Sequence, residues 1–495
     1  MIIKCKFGTA EFAFFSCIEP FAVVIYIRYD IMCGGFFMNL NPVIIIPGIG
    51  QSNLVLEDKN GNKIKNAWPV EMDEKTLMNE LKGSLMKMML FRVDGGFSDK
   101  VAKLVDDVTE PLAVNSDGSK KNIIRPVSYK KSLAECTADE KKFILDAFPM
   151  ESIAVTIGEE NIFYFAYDFF GDISDTASAL DEFVTLVKGK TGAEKVDFIV
   201  YSTGGAVLKA YLKDFSVKCD CEKIINVAAF LDGASLVADI FENKYHLEDP
   251  VGLLSSLGGT AASVSSMAGM LPGDVIANVL NKSIAVIKKN ILDYCTTLWA
   301  LVPDSRFDAV FASLNPQTAL AEKVKELHDY SVGFKFQAKM LAEDGMKFFQ
   351  LCGYGKKLPP VVDSCDVCSD GIADTDSASF GGAFPETTWY FKEQNHLSAF
   401  DNDVIVSLIG KILTGEVATN TDSAYPEKNG SRNTKKLRKT LVPKAKKALE
   451  AASDEKKAEL QACIDEYEKI LAETVIVNDE NVKNLENRIE ALIKE

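Results

Sequence analysis

The residues best placed to do chemistry lie in Val196-Asp197-Phe198-Ile199-Val200-Tyr201-Ser202-Thr203-Gly204-Gly205. An apolar, β-branched run ends on a small hydroxyl, and two glycines open a helical pattern. A nucleophilic serine is presented this way, on a strained turn between a buried strand and a helix, where neighbouring residues must be small. A serine hydroxyl needs a base to take its proton, and histidine titrates near neutrality. The chain has three histidines, His246, His328 and His396. His246 lies in a charged, surface-like run and His328 in a charged helical pattern. His396 falls between a late strand, Thr387 to Phe391, and the last helix of the domain, Asp401 to Leu413, so it is the candidate base. The carboxylate that orients it is expected between serine and histidine in chain order. Asp363, Asp366, Asp370, Asp374 and Asp376 all lie there. Asp370 is preferred because it precedes Gly371 on a tight turn, with Asp374 and Asp376 left open. The backbone N–H of Thr203 and that of Ile49, in Pro47-Gly48-Ile49-Gly50, are the expected oxyanion donors.

Strands must carry these residues to one edge. Pro42 to Ile46, Val196 to Val200 and Ile224 to Phe230 read as buried strands. Thr176 to Val187 and Gly204 to Phe215 read as helices. The alternation predicts a mostly parallel sheet covered by helices on both faces. Ligand sites in such sheets form at the carboxyl ends of the strands, where both glycine-rich turns, 47–50 and 202–205, fall. Residues 71–90 show helical spacing through Leu77, Leu81, Leu85 and Met89, and 91–130 are turn-rich. Residues 235–300 are apolar and rich in small residues, which suits either a helical cap over an apolar pocket or an ordinary packed insertion. The domain is expected to span 38–415, followed by a polar linker at 416–443. A charged helical hairpin, 444–495, follows, either a solvated appendage or an arm that contacts a membrane or partner.

Composition narrows the function class. The formal net charge of −16 across 495 residues argues against nucleic acid as a partner. Cys219/Cys221 and Cys365/Cys368 are close pairs, yet no histidine lies near either, so no structural zinc site is expected. The acidic stretch 363–376 does not fit the spacing of a helix-loop-helix calcium loop. No metal and no organic cofactor is implied. Residues 1–37 form an apolar extension interrupted by Glu11 and Glu19-Pro20. Two readings stand: an upstream extension of a chain that naturally starts near Met38, which places the protein in the cytoplasm, or a membrane anchor.

Several of these segments together resemble the α/β-hydrolase group that includes lecithin:cholesterol acyltransferase and related phospholipases and lipases. The matching pieces are Ile45-Ile46-Pro47-Gly48-Ile49-Gly50-Gln51-Ser52, Trp68-Pro69 and Phe165-Ala166-Tyr167-Asp168-Phe169-Phe170. They continue through Tyr201-Ser202-Thr203-Gly204-Gly205, Leu298-Trp299-Ala300-Leu301-Val302-Pro303, Ser369-Asp370-Gly371 and Asn395-His396. The resemblance covers about residues 41–413. It implies an α/β-hydrolase fold with a helical cap insertion. It also implies Ser202 as nucleophile, Asp370 as acid, His396 as base and Ile49 as oxyanion contributor. Gly48, Gly204 and Asp168 would be structural supports. The chain departs from the group's pattern at Val200, where glycine is usual, at Phe169-Phe170 in place of Trp-Arg, and at Ile372-Ala373 in place of Val-Pro. The expected activity is hydrolysis of carboxylic esters of lipids or other apolar acyl groups through an acyl-enzyme. The alternatives are O-acyl transfer on the same fold and a non-catalytic binding or scaffold protein of that fold.

Overall fold

The computed structural model describes residues 2–7, 10–15, 40–70, 81–84, 86–87, 90–245, 272–314, 318–359, 362–422, 437–449, 452–472 and 479–494. The chain divides into two units, residues 1–39 and 40–495. In the first, β1 (Ile2–Phe7) and β2 (Ala10–Phe15) pair antiparallel, with Ile2 opposite Phe15. Their β-branched and aromatic residues suit strands. Among the described residues no helix is long and apolar enough to cross a membrane. Met38 lies outside the described residues, as do His246, residues 253–270 and most of the helix expected at 71–90.

The second unit carries β3 (Val43–Ile46), β4 (Leu54–Glu57), β5 (Lys63–Trp68), β6 (Ile123–Pro126), β7 (Ile162–Tyr164), β8 (Val196–Tyr201), β9 (Cys221–Val227), β10 (Lys347–Tyr354), β11 (Lys356–Lys357), β12 (Cys368–Ser369) and β13 (Thr388–Lys392). Six of them form one sheet in the order β13-β10-β9-β8-β3-β7, with every neighbouring pair parallel. The strand before the serine, β8, is central and buried along its whole length. Side chains alternate across the sheet with period two. Ile44, Ile46, Phe198, Val200, Ile224 and Phe348 enter one core. Val43, Ile45, Ile199, Tyr201, Ile225 and Phe349 enter the other. Helices Ile173–Thr191 and Gly204–Phe215 cover the first face, and Glu151–Ile157 and Asp403–Thr414 the second. Each large aliphatic or aromatic side chain so buried contributes about 1.5–3 kcal/mol. A strand covered on both faces is apolar except where a buried polar group finds partners, as Asp197 of β8 does in Lys223 and Asn41. That is why β3 reads as an unbroken run, and β8 as one from Phe198 to Val200.

Local chemistry sets where the helices stop and start. Asp172 accepts from the N–H of Ser174 at 2.9 Å, and Asn402 accepts from that of Val404 at 3.0 Å. Each satisfies a donor that the helix cannot.

One difference from expectation lies in the turn-rich stretch 91–130, which holds the helix Phe97–Thr109. That helix packs Phe97 and Val101 against Val275 and Val279 of the helix Gly273–Ile287. A long-range partner here outweighs weak local propensity. In the region expected to form a cap, Ser235–Phe241, Gly273–Ile287 and Thr296–Trp299 are helical. At the C-terminus, Val442–Ala448, Asp454–Ala472 and Asp479–Lys494 are helical. They enclose their own apolar cluster through Leu441, Ala445, Leu460, Ile464, Leu485 and Ile489. Helical residues begin at Leu437, inside the stretch expected as linker.

Candidate active site

Ser202 follows β8 directly and sits at φ +56°. Left-handed backbone is costly for a residue with a Cβ, so the turn stores strain. The strain is held in place by the surroundings. Ser202 O accepts the N–H groups of Gly205 and Phe230, both at 3.0 Å. Gly204 and Gly48 are required for close approach. A Cβ on Gly204 would lie 2.6 Å from Ile46 O, and one on Gly48 would lie 2.8 Å from Ser202 Cβ. Val200, at the position where the hydrolase group usually has glycine, is fully buried in the core on the opposite sheet face from Tyr201. The alternation of the strand thus turns its side chain away from the residue that touches the histidine.

His396 lies just beyond β13 and is 3% exposed. Its Nε2 is 2.9 Å from Ser202 Oγ, and its Nδ1 is 2.8 Å from Asp370 Oδ2. Asp370, 1% exposed, follows β12. Its Oδ1 accepts the backbone N–H groups of Ile372 at 3.0 Å and Ala373 at 2.7 Å. A carboxylate with both oxygens engaged has one orientation, and it points Oδ2 at the imidazole. The backbones are tied as well, since His396 N–H donates to Asp370 O at 3.0 Å. Gly353 at the end of β10 leaves the space that Asp370 needs, because a Cβ there would lie 2.6 Å from Asp370 Cβ.

The other candidate acids go elsewhere. Asp374 is buried and accepts from Ser235 N at 2.9 Å and Ser235 Oγ at 2.6 Å. Burial holds its carboxyl above the usual carboxylate range, partly offset by those Ser235 bonds. Asp363, Asp366 and Asp376 are exposed, and Asp366 pairs with Lys357. His328 stands apart, with Nδ1 3.6 Å from Asp304 Oδ1. Asp168 does not bond to the serine turn. It pairs with Lys120 at 3.1 Å and accepts from Phe170 N at 3.1 Å. Its neighbour Tyr167 makes the link to the first turn, donating its hydroxyl to Pro47 O at 2.7 Å.

Reasoning from sequence passed over three residues. Tyr201 stacks on the His396 ring, centroids 5.3 Å apart and planes 22° from parallel, and its hydroxyl donates to His396 O at 2.5 Å. Burial, with the Asp370 charge adding to it, pushes the phenol far above its ordinary value, so it stays a donor. Phe230 also stacks on His396, at 5.7 Å. Gln51 Oε1 accepts the N–H of Gly48 at 2.7 Å. The N–H of Ile49, next after Gly48, and that of Thr203, next after Ser202, donate to no protein group among the described residues. Tyr201 could have been flagged from its place beside the serine. Phe230 and Gln51 carry no local signal.

A cavity of about 300 Å³ opens over Ser202 and His396. Its walls include Phe230, Val237, Leu298, Leu301 and Ile372, and no lysine or arginine stands among the described lining residues. Among the described residues no group of three or more His, Cys, Asp or Glu could hold a metal ion. Cys219, Cys221, Cys365 and Cys368 are unbridged.

A parallel sheet with helices on both faces, and a strained serine on the turn from its central strand into a helix, define the architecture. The chain has an α/β-hydrolase fold. No protein-family model matches it, and neither does any curated protein. Among solved structures it is similar to a chain of the Tle4–Tli4 complex at 9% identity and a TM-score of 0.38, covering 76% of this chain and 98% of that one. It is also similar to the Bacillus licheniformis lipase BlEst2 in mature form at 13% identity and a TM-score of 0.28, covering 58% and 89%. Likeness this distant leaves the chemistry to be read from the side chains.

Proposed function

We propose that this protein is a serine hydrolase that cleaves carboxylic esters of apolar acyl groups. The reading is carried by the unbroken line from Ser202 Oγ through His396 Nε2 and Nδ1 to Asp370 Oδ2, at 2.9 and 2.8 Å. With Nδ1–H donating to Asp370, Nε2 is the acceptor for the serine proton. Ser202 Oγ attacks the ester carbonyl while His396 takes its proton. The tetrahedral oxyanion is held by the backbone N–H groups of Thr203 and Ile49, each donor worth about 3–4 kcal/mol of barrier. His396 then returns the proton to the leaving alcohol, and an acyl-serine forms. Water, deprotonated by His396, releases the acid. Tyr201 and Phe230 keep the imidazole plane in register through both half-reactions.

The apolar walls around Ser202 favour an uncharged acyl chain, since pocket lining follows ligand polarity. The motif resemblance to the lecithin:cholesterol acyltransferase group supports a lipid ester as substrate. A fluorophosphonate probe tests the assignment. The native protein is expected to label at Ser202, and Ser202→Ala is expected to lose both labelling and hydrolysis of p-nitrophenyl esters. Labelling that persists in Ser202→Ala would sink the nucleophile.

A further inference from the structure

Charge is unevenly placed in the C-terminal helical region. The segment Leu437 to Leu449 carries Arg438, Lys439, Lys444, Lys446 and Lys447 and no acidic residue, in a chain whose net charge is −16. The helix that follows, Asp454–Ala472, is rich in acids instead. Within the basic segment the apolar side chains are already used. Leu441, Val442 and Ala445 are buried in the cluster formed with Leu460, Ile464, Leu485 and Ile489. Lys444 and Lys447, one turn apart, are left on the exposed side. A helix that has spent its apolar face on its own bundle cannot insert into a bilayer. It can still adsorb to an anionic surface through charge alone.

From this we infer that the exposed side of the helix Val442–Ala448, carrying Lys444 and Lys447, forms an electrostatic docking face for an anionic lipid bilayer. The inference rests on the catalytic reading only in choosing a lipid surface over other polyanions, because an apolar acyl cavity needs its substrate delivered from a membrane. The acidic body does not cancel the attraction. At physiological salt, charges more than about 8 Å from the surface are largely screened, so the face in contact decides. Each lysine near an anionic leaflet is expected to raise partitioning about fivefold.

Sedimentation of the full-length protein with phosphatidylcholine vesicles, with and without phosphatidylserine, tests this. Binding is expected only with phosphatidylserine and is expected to fall at high salt. It should drop about fivefold in Lys444→Gln and about 25-fold in the double variant Lys444→Gln/Lys447→Gln. Both side chains are exposed, so helical circular dichroism and hydrolysis of a soluble ester should match the native protein. Ser202→Ala should bind vesicles normally, which separates this inference from the catalytic assignment. Equal binding to neutral vesicles, no binding to anionic ones, or a double variant that partitions like the native protein would overturn it. So would retention on heparin or an oligonucleotide without binding to vesicles.

Discussion

Replacing Asp370 by asparagine keeps the volume and removes one capability. In the native site Oδ1 accepts two backbone N–H groups, from Ile372 and Ala373, while Oδ2 faces His396 Nδ1. An asparagine has two orientations there. If its oxygen faces Nδ1, its NH₂ points at two buried N–H groups, which lose their acceptor at about 1–3 kcal/mol each. If its oxygen stays with Ile372 and Ala373, the NH₂ donates to Nδ1. The second orientation wins by about 2–6 kcal/mol. It forces the proton onto Nε2, which then cannot accept from Ser202. A wrong tautomer of this kind costs about 10⁴ in kcat, or about 5.5 kcal/mol of barrier. The assay is kcat for a p-nitrophenyl ester in Asp370→Asn beside Asp374→Asn, with unfolding curves to show that both fold. Asp374 bonds Ser235 rather than His396, so its variant is expected to keep kcat within about tenfold of native. A loss under tenfold in Asp370→Asn, or equal losses in the two, would refute the tautomer argument.

Three further outcomes are expected. Gly204→Ala puts a Cβ 2.6 Å from Ile46 O and 3.0 Å from Pro47 O, and these backbone atoms cannot swing aside. Urea unfolding should show a loss of about 1–3 kcal/mol. Val237→Phe narrows the cavity over Ser202, so the ratio of kcat/KM for long over short acyl esters should fall about tenfold or more. Lys209 is buried, with Nζ 3.0 Å from Ser331 Oγ, and burial lowers its pKa. Between that lowered value and the unfolded value near ~10.4, the unfolded chain holds a proton that the folded one releases, so stability rises with pH there. The gap in melting temperature between native protein and Lys209→Met should therefore shift in the native protein's favour as pH rises toward that value. A constant gap would count against it.

The sheet and the serine turn were readable because their causes are local. A strand buried on both faces is apolar wherever no partner awaits a polar group, as β8 is from Phe198 to Val200, and a left-handed turn packed against Ile46 and Phe230 must be followed by glycines. That His396 is the ring beside Ser202 was readable by elimination among three histidines and by its place between β13 and the last helix of the sheet. The carboxylate beside His396 was not readable with the same force. Asp370, Asp374 and Asp376 share a turn-rich stretch without periodicity. Which of them meets the histidine depends on the room left by Gly353 and on two backbone donors that aim one oxygen away. Nor could the sequence weigh Val200, whose tolerance depends on which face of β8 it occupies, or foresee Tyr201 and Phe230 stacked on the imidazole. Period, burial and turn chemistry are properties of a few neighbouring residues, so the chain states them directly. The partner of a side chain from a distant strand end is set by packing over the whole sheet, and only the tertiary structure decides it.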